Sequence, residues 1–312
     1  MIATVTLNPS LDEWIELPAL TLGALNRAAA FARYPGGKGI NVSRVAHELR
    51  VATRAYTLIG GGDGHILKTL LDRLGIPQSA VAIPGTTRNN YKIRTRRPQA
   101  LTELNTPGPT VGPRPLRMLY RRLVSARPRP SHVALCGSLP PGPPASIYRT
   151  WITSLNPLGI STVLDASGAA LAQGIRARPW LIKPNRQEAE EVLGRRLSGR
   201  AELVHGLQAL LDQGPRIVVL SLGADGALLG SREPAGVWFA KPPVVQAQSA
   251  VGAGDAMVAG ILVGWVRRRS LTQAFRLGVA CGTAAARSPG TDLCRRADVL
   301  RLLRRVTVTR LR

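Results

Sequence analysis

Short apolar runs rich in β-branched residues alternate with segments of helical period along most of the chain. The apolar runs predict strands at residues 2–7, 55–59, 133–136, 162–164, 181–182 and 217–220. The intervening segments predict helices at residues 40–49, 66–74, 115–126, 186–193 and 201–211. This alternation indicates an α/β fold with a mainly parallel central sheet, in which ligands bind at the carboxyl ends of the strands.

Two segments depart from this alternation. Residues 14–31 show no helical period, and residues 88–104 alternate between polar and apolar positions. Both could be strands of a small separate sheet, which we expect to act as a lid, or ordinary edge strands of the main sheet. Past Asp255 the pattern predicts helices at residues 256–267, 271–286 and 297–303. Since no internal repeat or low-complexity linker is found, we expect one domain over residues 1–312, with lid segments at about 12–33 and 88–106.

Composition narrows the class of protein. With 312 residues, 45% of them hydrophobic, the chain can bury a substantial core, which excludes disordered and fibrous classes. No apolar run reaches the roughly 18 residues of a membrane helix, and the first ten residues lack a basic leader region. The three widely spaced cysteines, Cys136, Cys281 and Cys294, suit reduced thiols. We therefore expect a globular protein of the cytoplasm with no membrane partner.

The charge of the chain raises a second possibility. Lysine and arginine number 42 against 18 acidic residues, a formal net charge of +24, and only five of the basic residues are lysines. The arginines are scattered rather than gathered in one arm, and only 4% of residues are aromatic, so the stacking pattern of a nucleic-acid groove is missing. We do not expect nucleic acid as a partner, and the charge is compatible with an anionic substrate.

The strongest local feature is the segment Ser-Ala-Val-Gly-Ala-Gly-Asp at residues 249–255, which leads directly into an apolar helix. Small residues let the backbone approach a ligand, and a helix N-terminus directs unpaired N–H groups at an anion. Gly252, Ala253 and Gly254 are therefore a candidate anion hole. Asp255, at its rim, is either a base that accepts a proton from an attacking hydroxyl or simply the N-cap of the helix.

Residues 35–41, Pro-Gly-Gly-Lys-Gly-Ile-Asn, form a second glycine-rich turn before a helix. The GxxxxGK[ST] spacing of a P-loop is absent. The glycine backbone, Lys38 and the Asn41 amide could hold a polar ligand, and a plain glycine turn is the alternative.

Polar turns follow three further predicted strands, at residues 137–142, 183–188 and 221–226. In the second of these, Asn185 and Glu188 stand three residues apart at a helix start. An amide and a carboxylate there could position hydrated Mg²⁺, or they could form a capping box. The turn at 221–226 could border a nucleotide.

Six motifs, taken in order, resemble the phosphofructokinase B family of ribokinase-like sugar kinases over essentially the whole chain. They are TLNPSLD (residues 6–12), PGGKGIN (35–41), GSLPPG (137–142), KPNRQE (183–188), SLGADGA (221–227) and SAVGAGDAMVAG (249–260). The resemblance implies a Rossmann-like three-layer α/β/α domain with a small β-sheet lid. It also implies ATP and Mg²⁺ as cofactors and a homodimer formed through the lid.

The resemblance further implies a role for each motif. Asp255 is similar to the catalytic base, and the backbone of residues 252–254 is similar to the hole for the transferred phosphoryl group. The implied sugar-phosphate contacts are Asp12, Arg27, Gly37, Lys38, Asn41, Arg88, Asn90 and Ser138, with Lys38, Arg88 and Asn90 nearest the substrate phosphate. The implied nucleotide contacts are Lys183, Asn185, Ser221, Gly223 and Gly226. Asn185 and Glu188 would place Mg²⁺ through water, and Ser249, Val251 and Gly290 resemble the monovalent-cation (K⁺) site of some members.

Different parts of the chain resemble different branches of that family. GGKGIN, TRNNYKI and TELNTPGP look most like 1-phosphofructokinases and tagatose-6-phosphate kinases, whereas the C-terminal third looks more like the minor 6-phosphofructokinase. That enzyme has a lysine where this chain places Ala24, a departure that weighs against a 6-phosphofructokinase. It has an arginine where this chain has Asp292, which concerns only the cation loop. We therefore predict ATP-dependent phosphorylation of fructose 1-phosphate to fructose 1,6-bisphosphate. The alternatives are 6-phosphofructokinase, tagatose-6-phosphate kinase and, in another class, a basic nucleic-acid or regulatory binding protein on a kinase scaffold.

Overall fold

The computed structural model describes residues 1–290 and 292–311. Within these residues the strands are β1 (Ile2–Thr6), β2 (Ser10–Leu17), β3 (Ala30–Gly36), β4 (Thr53–Ile59), β5 (Gln78–Ala82), β6 (Arg88–Arg96), β7 (Gln99–Asn105), β8 (His132–Cys136), β9 (Ser161–Asp165), β10 (Leu181–Ile182), β11 (Ile217–Ser221), β12 (Ala227–Arg232), β13 (Ala235–Lys241) and β14 (Thr307–Leu311). The helices are α1 (Lys38–Glu48), α2 (Gly61–Arg73), α3 (Pro113–Val124), α4 (Ile147–Leu155), α5 (Gly168–Ile175), α6 (Arg186–Leu193), α7 (Gly199–Asp212), α8 (Ala253–Val266), α9 (Leu271–Arg287) and α10 (Arg296–Leu303).

The central sheet has ten strands in the order β14-β13-β12-β11-β10-β9-β8-β1-β4-β5. The strands from β11 to β5 in this order are parallel, and β12, β13 and β14 continue the sheet in antiparallel pairs. Side chains of one strand alternate between two cores, as Ile2 and Ala3 of β1 do. One core lies against α1, α8, α9 and α10 and the other against α3, α4, α5 and α7, so helices cover both faces of the sheet.

Helix α8 is apolar all round because it lies inside the protein rather than on its surface. Its residues from Asp255 to Gly264 are all buried, and it packs between α1 and α9. Gly260 allows the close approach of α9, since a Cβ at that position would collide with the Cα of Gly278. This packing holds the N-terminus of α8 at the carboxyl edge of the sheet.

The two irregular segments supply a second sheet of four strands, in the order β3-β2-β6-β7. The alternative of edge strands in the main sheet was therefore wrong for these segments. Opposite pairs in this lid sheet include Asp12 with Asn90, Asn90 with Asn105, and Lys92 with Glu103. Because every second residue of a strand faces the same side, the register places these polar side chains on one face of the lid.

The predicted strands and helices of the main domain are all present, with ends displaced by a few residues. The pattern missed β5, β12, β13, β14, α4 and α5. Strand β14 is largely exposed and carries an arginine, so it lacks the apolar run that marks a buried strand. No helix in the described part of the chain is long and apolar enough to cross a membrane. The three cysteines are free thiols in the core, as predicted.

Candidate active site

A cavity of about 960 Å³ lies at the carboxyl ends of the parallel strands, between the central sheet and the lid. Most of the residues predicted for the site line it: Asp12, Gly37, Lys38, Asn41, Arg88, Asn90, Ser138, Lys183, Asn185, Glu188, Ser221, Gly223, Gly226, Val251, Gly252, Ala253, Gly254 and Asp255. Residues from six separate motifs thus meet in one place, because the carboxyl ends of parallel strands share one edge of the sheet.

Three predicted site residues do not line this cavity. Arg27 lies exposed in the segment that joins β2 to β3. Ser249 is buried, and its hydroxyl accepts a hydrogen bond from the backbone N–H of Val251 at 3.2 Å. Gly290 lies against the lid, where a Cβ would come within 3.4 Å of the Tyr34 hydroxyl. Within one chain, therefore, the structure does not bring Arg27 to the other sugar-phosphate candidates.

The candidate anion hole lies at the start of α8, where Gly252 is the N-cap in a left-handed conformation, with φ of 74°. A side chain at Gly254 would stand about 3.1 Å from the Lys183 ammonium and fill the space between the helix end and that cation. The unpaired N–H groups of the first helical turn and the ammonium face the same space. This space fits an anion such as a phosphoryl group.

Asp255 follows in the first turn of α8, so it is not the N-cap residue of the helix. Only 7% of it is exposed, and its Oδ2 accepts a hydrogen bond of 2.8 Å from the Asn41 amide. Burial raises the pKa of Asp255 to about 6, and the nearby Asp165 carboxylate adds to this effect. Lys38, the Asn41 hydrogen bond and Lys183 oppose the rise. The pKa of this carboxylate is thus shifted toward neutral pH, which suits a general base.

Asp165 occupies the centre of the charged network although sequence reasoning did not single it out. It ends strand β9, is fully buried, and its Oδ1 lies 3.0 Å from the Lys38 ammonium and 3.4 Å from the Lys183 ammonium. Burial alone would raise its pKa, but the two lysines outweigh burial and hold the pKa below its usual value. The signal in the sequence was its position, since it directly follows the predicted strand at 162–164 and polar residues there face the ligand edge.

The residues predicted for Mg²⁺ form a capping box at the start of α6. The Asn185 side chain accepts from the Glu188 N–H at 2.8 Å, and the Glu188 Oε2 accepts from the Asn185 N–H at 2.9 Å. The other Glu188 oxygen lies 3.6 Å from the Lys38 ammonium. Among the described residues the Asp165 Oδ2 is buried without a hydrogen-bond partner. The side-chain oxygens of Asn185, Glu188 and Asp165 fit a hydrated Mg²⁺ that also binds phosphate groups. Among the described residues there is no cluster of three acidic, His or Cys side chains that could bind a metal ion without such additional ligands.

The lid contributes a polar face that closes the other side of the cavity. Asp12 accepts hydrogen bonds from Ser10 at 2.9 Å and from Asn90 at 3.3 Å. Burial raises the pKa of Asp12, and the Lys92 ammonium opposes this. Lys92 is buried and pairs with Glu103 at 2.9 Å. Sequence reasoning missed Lys92 and Glu103 as cavity residues, although Lys92 stands two positions after Asn90 on the predicted lid strand and therefore shares its face.

Arg88, the first residue of lid strand β6, connects the lid to the segments beside it. Its guanidinium donates to the backbone carbonyl of Thr106 at 3.0 Å and to that of Asn8 at 3.1 Å. Its Nε, buried in the cavity wall, has no hydrogen-bond partner among the described residues. Asn8 in turn donates to the Ser138 hydroxyl at 3.4 Å. Arg88 and Ser138 are therefore connected through Asn8, and the Nε of Arg88 is a donor without a partner among the described residues.

The far end of the cavity is apolar. Val244, Val245, Ala250, Val279 and Thr283 line it, between the segment that follows β13 and the face of α9. None of these residues belonged to the predicted site. A flat, partly apolar group such as a nucleoside base would fit there, next to the turn at 221–226.

Comparison with known proteins agrees with this geometry. The model of the pfkB family carbohydrate kinases matches residues 5–298. The chain belongs to the pfkB family of carbohydrate kinases. It is 38% identical to a 1-phosphofructokinase of Bacillus subtilis over 311 residues, covering 100% of both chains. It is 36% identical to an ATP-dependent 6-phosphofructokinase isozyme 2 of Mycobacterium tuberculosis, covering 96% of this chain and 88% of the relative.

The fold of this pfkB family kinase is also that of solved relatives. A structure of phosphofructokinase-2 from Escherichia coli in complex with substrates and products superposes with a TM-score of 0.92 at 30% identity, covering 97% of this chain and 98% of that one. The prediction of a ribokinase-like α/β fold is confirmed. The protein is therefore an enzyme, a phosphotransferase that acts on an alcohol group of a carbohydrate.

Proposed function

We propose that this pfkB family kinase transfers the γ-phosphoryl group of ATP to the free primary hydroxyl of fructose 1-phosphate, forming fructose 1,6-bisphosphate. The main support for the proposal is that Asp255, the glycine hole and the polar face of the lid all line one cavity. The full-length similarity to a 1-phosphofructokinase supports the choice of substrate.

In the proposed mechanism Asp255 accepts the proton of the sugar hydroxyl as that oxygen attacks phosphorus. The Asn41 amide holds the carboxylate at 2.8 Å, so one oxygen is fixed and the other is available to the substrate. The N–H groups at the start of α8 neutralise the charge that develops on the transferring phosphoryl group. Since little covalent chemistry is required of the protein, positioning and charge neutralisation account for most of the rate enhancement.

Lys38 and Lys183 supply positive charge on the nucleotide side. Their ammonium groups share one oxygen of Asp165, which keeps two like charges close together in a buried place. Burial alone would lower the pKa of Lys38, but Asp165, Glu188 and Asp255 raise it, so the group stays charged. We assign Lys38 to the transferring phosphoryl group rather than to the substrate phosphate, because its partners Asp165 and Glu188 lie at the nucleotide side. Asn185, Glu188 and Asp165 would hold Mg²⁺ through water, and the ion would neutralise phosphate charge when bound.

On the lid side, we propose that Asp12 and Asn90 receive the sugar hydroxyls and that Arg88 and Lys92 receive the substrate phosphate. A guanidinium with a free donor and a buried ammonium suit a dianion. Fructose 1-phosphate and fructose 6-phosphate each carry one phosphate and one free CH₂OH arm across a furanose ring. Binding either phosphate at the lid would aim the free hydroxyl at Asp255, so the lid contacts decide which isomer is preferred.

The remaining parts of the proposal concern assembly and ions. We propose that residues 1–312 act as one catalytic domain in the cytoplasm, and that two copies associate through the lid. Phosphofructokinase-2 of E. coli has been solved in complex with potassium, and we propose that Ser249, Val251 and Gly290 form a corresponding site for K⁺.

The pH dependence of kcat/KM follows from the raised pKa of Asp255. The base must be ionised, so activity is expected above about pH 6 and should fall by about tenfold per unit below it. The substrate phosphate titrates in the same range, with a second pKa of about 6. A control separates the two groups: Asn41→Leu removes the hydrogen bond that lowers the pKa of Asp255, so the acidic limb should move upward if Asp255 is the titrating group. A limb that stays in place would assign it to the substrate.

The choice of substrate is tested by ADP release from Mg·ATP with fructose 1-phosphate, fructose 6-phosphate, tagatose 6-phosphate and fructose. We expect kcat/KM for fructose 1-phosphate to exceed each of the others by at least about tenfold, and fructose to be the poorest because it leaves Arg88 and Lys92 without an anion. The Asp255→Asn variant, prepared in the same way, controls for contaminating kinases. A preference for fructose 6-phosphate would transfer the assignment to 6-phosphofructokinase within the same family.

A further inference from the structure

Arg44 lies one turn after Asn41 on α1. It is not among the described residues that line the cavity, and it did not figure among the predicted site residues. Its Nη1 donates to the Asn41 Oδ1 at 3.2 Å and to the backbone carbonyl of Pro35 at 3.3 Å. Pro35 belongs to β3, the lid strand that leads into α1. The guanidinium therefore connects the end of lid strand β3 to Asn41, the residue that donates to Asp255.

The two ends of the Asn41 side chain have different partners. The oxygen accepts from Arg44, and the nitrogen donates to the Asp255 Oδ2 at 2.8 Å. An amide rotated by half a turn would direct its oxygen at the carboxylate, which can only accept hydrogen bonds when ionised. The Arg44 guanidinium, a donor beside the amide oxygen, therefore favours the observed orientation, in which the amide nitrogen faces Asp255.

We propose that Arg44 is a positioning residue for the catalytic base: it fixes the orientation of the Asn41 amide so that its nitrogen faces Asp255. The inference rests on the proposed role of Asp255. The guanidinium suits the task because it has no acceptor, so it can bond only to the oxygen end of the amide. It also stays protonated throughout the working pH range, although burial lowers the pKa of Arg44.

The charged groups around both residues are compatible with this role. Arg44 faces Asp12 of β2, Tyr34 of β3, Asp255 of α8 and Asp292 of the segment after α9. These groups favour the charged guanidinium in a buried place. Asp255 faces Asp165 at the end of β9, Lys38 of α1 and Lys183 beyond β10, besides Asn41. Because Arg44 also faces Asp255 directly, replacing it by an uncharged residue has two effects on the pKa of Asp255, one through its charge and one through the Asn41 amide. Only the second effect depends on Asn41.

The test is a double-mutant cycle between Arg44→Met and Asn41→Leu, read as the pH profile of kcat. Arg44→Met should lower kcat at neutral pH by about tenfold, since hydrogen bonds to charged groups have this order of effect. It should also move the acidic limb upward by about one pH unit. In the Asn41→Leu background the same replacement should change both quantities much less, because only the direct charge effect on Asp255 remains. Arg267→Met is the matched control, because Arg267 donates to the Leu49 carbonyl beyond the other end of α1, and it should leave the limb in place.

Two results would overturn the proposal: an Arg44→Met enzyme with an unchanged acidic limb, or a loss of kcat that persists undiminished in the Asn41→Leu background. Should Arg44→Met not fold, Arg44→Lys replaces it in the same cycle. The lysine ammonium ends one bond short of the guanidinium nitrogens, so a loss that disappears in the Asn41→Leu background is again expected, and a lysine variant identical to wild type would overturn the proposal. Asp255→Asn is measured in the same assay. Full activity of that variant would contradict the assignment of Asp255 as the base, and with it the role of Arg44. If the variant is inactive, the double-mutant cycle alone decides the role of Arg44.

Discussion

Replacing Asp255 by asparagine is expected to lower kcat by roughly a thousandfold while ATP binding stays nearly unchanged, because general-base catalysis typically contributes a factor of that order. The amide keeps the shape of the side chain but cannot accept the hydroxyl proton at neutral pH. The buried carboxylate accepts from Asn41, and its raised pKa of about 6 leaves it mostly ionised at pH 7 and basic enough to take a proton.

The measurement combines steady-state turnover with calorimetric titration of Mg·ATP. Asp298→Asn is the matched control, since Asp298 lies on α10 and pairs with the neighbouring Arg301 rather than with the cavity. It should leave both quantities unchanged. Comparable losses of turnover and ATP binding in Asp255→Asn would mean that the residue maintains the site and does not act on the proton.

Replacing Asp165 by asparagine is expected to reduce both catalysis and stability. The change leaves the ammonium groups of Lys38 and Lys183 beside a neutral amide, and removing one partner from a buried ion pair typically costs about 3 kcal/mol of unfolding free energy. The two lysines would then repel each other and leave the positions in which we propose that they contact phosphate. We expect kcat/KM to fall by at least about a hundredfold, with a higher KM for ATP.

The loss of stability should depend on pH in a defined direction. The folded pKa of Asp165 lies below its usual value of 3.8, so its contribution is fully present above about pH 4 and disappears as the pH falls through the folded pKa. Urea unfolding at several pH values should therefore give wild type and Asp165→Asn a constant difference from pH 7 to about pH 5 and a smaller one near pH 3. Glu103→Gln, which removes the carboxylate of the lid pair with Lys92, is the control. A difference that does not change with pH would show that the loss is not electrostatic.

The main domain could be predicted because its elements carry local signals. A strand buried on both faces requires a continuous apolar run, as in Ile217–Ser221, and a helix inside the protein requires apolar residues all round, as in Ala253–Val266. The elements that escaped prediction lack such signals. Strand β14 is exposed and pairs with β13, far earlier in the chain. Helix α5 is short and has a glycine at its start and another next to its end, so its local helical signal is weak.

In the candidate site, too, only residues with a local signal in the sequence could be predicted. The glycine turn before α8 was a candidate anion hole on local grounds, since small residues expose the N–H groups of a helix start. Asp255 was assigned as the base only through the family resemblance. Asp165 and Lys92 stand in segments where an aspartate or lysine is ordinary, and their importance comes from partners that only the folded structure brings near. Asp165 meets Lys38 across 127 positions, and Lys92 meets Glu103 only because β6 and β7 pair in one register.

Residue types and their spacing were thus sufficient to assign the α/β class, and the resemblance that the motifs carry was needed to select candidate residues for phosphoryl transfer. Which of these residues touch was decided by the tertiary structure, because the contacts join chain segments whose separation no local pattern encodes. Asn41 lies 214 positions from Asp255, yet their side chains are 2.8 Å apart once α1 and α8 pack together. The raised pKa of that carboxylate, the raised pKa of Lys38 and the hydrogen bond from Arg44 to the Asn41 amide all depend on burial and proximity, which exist only in the folded chain.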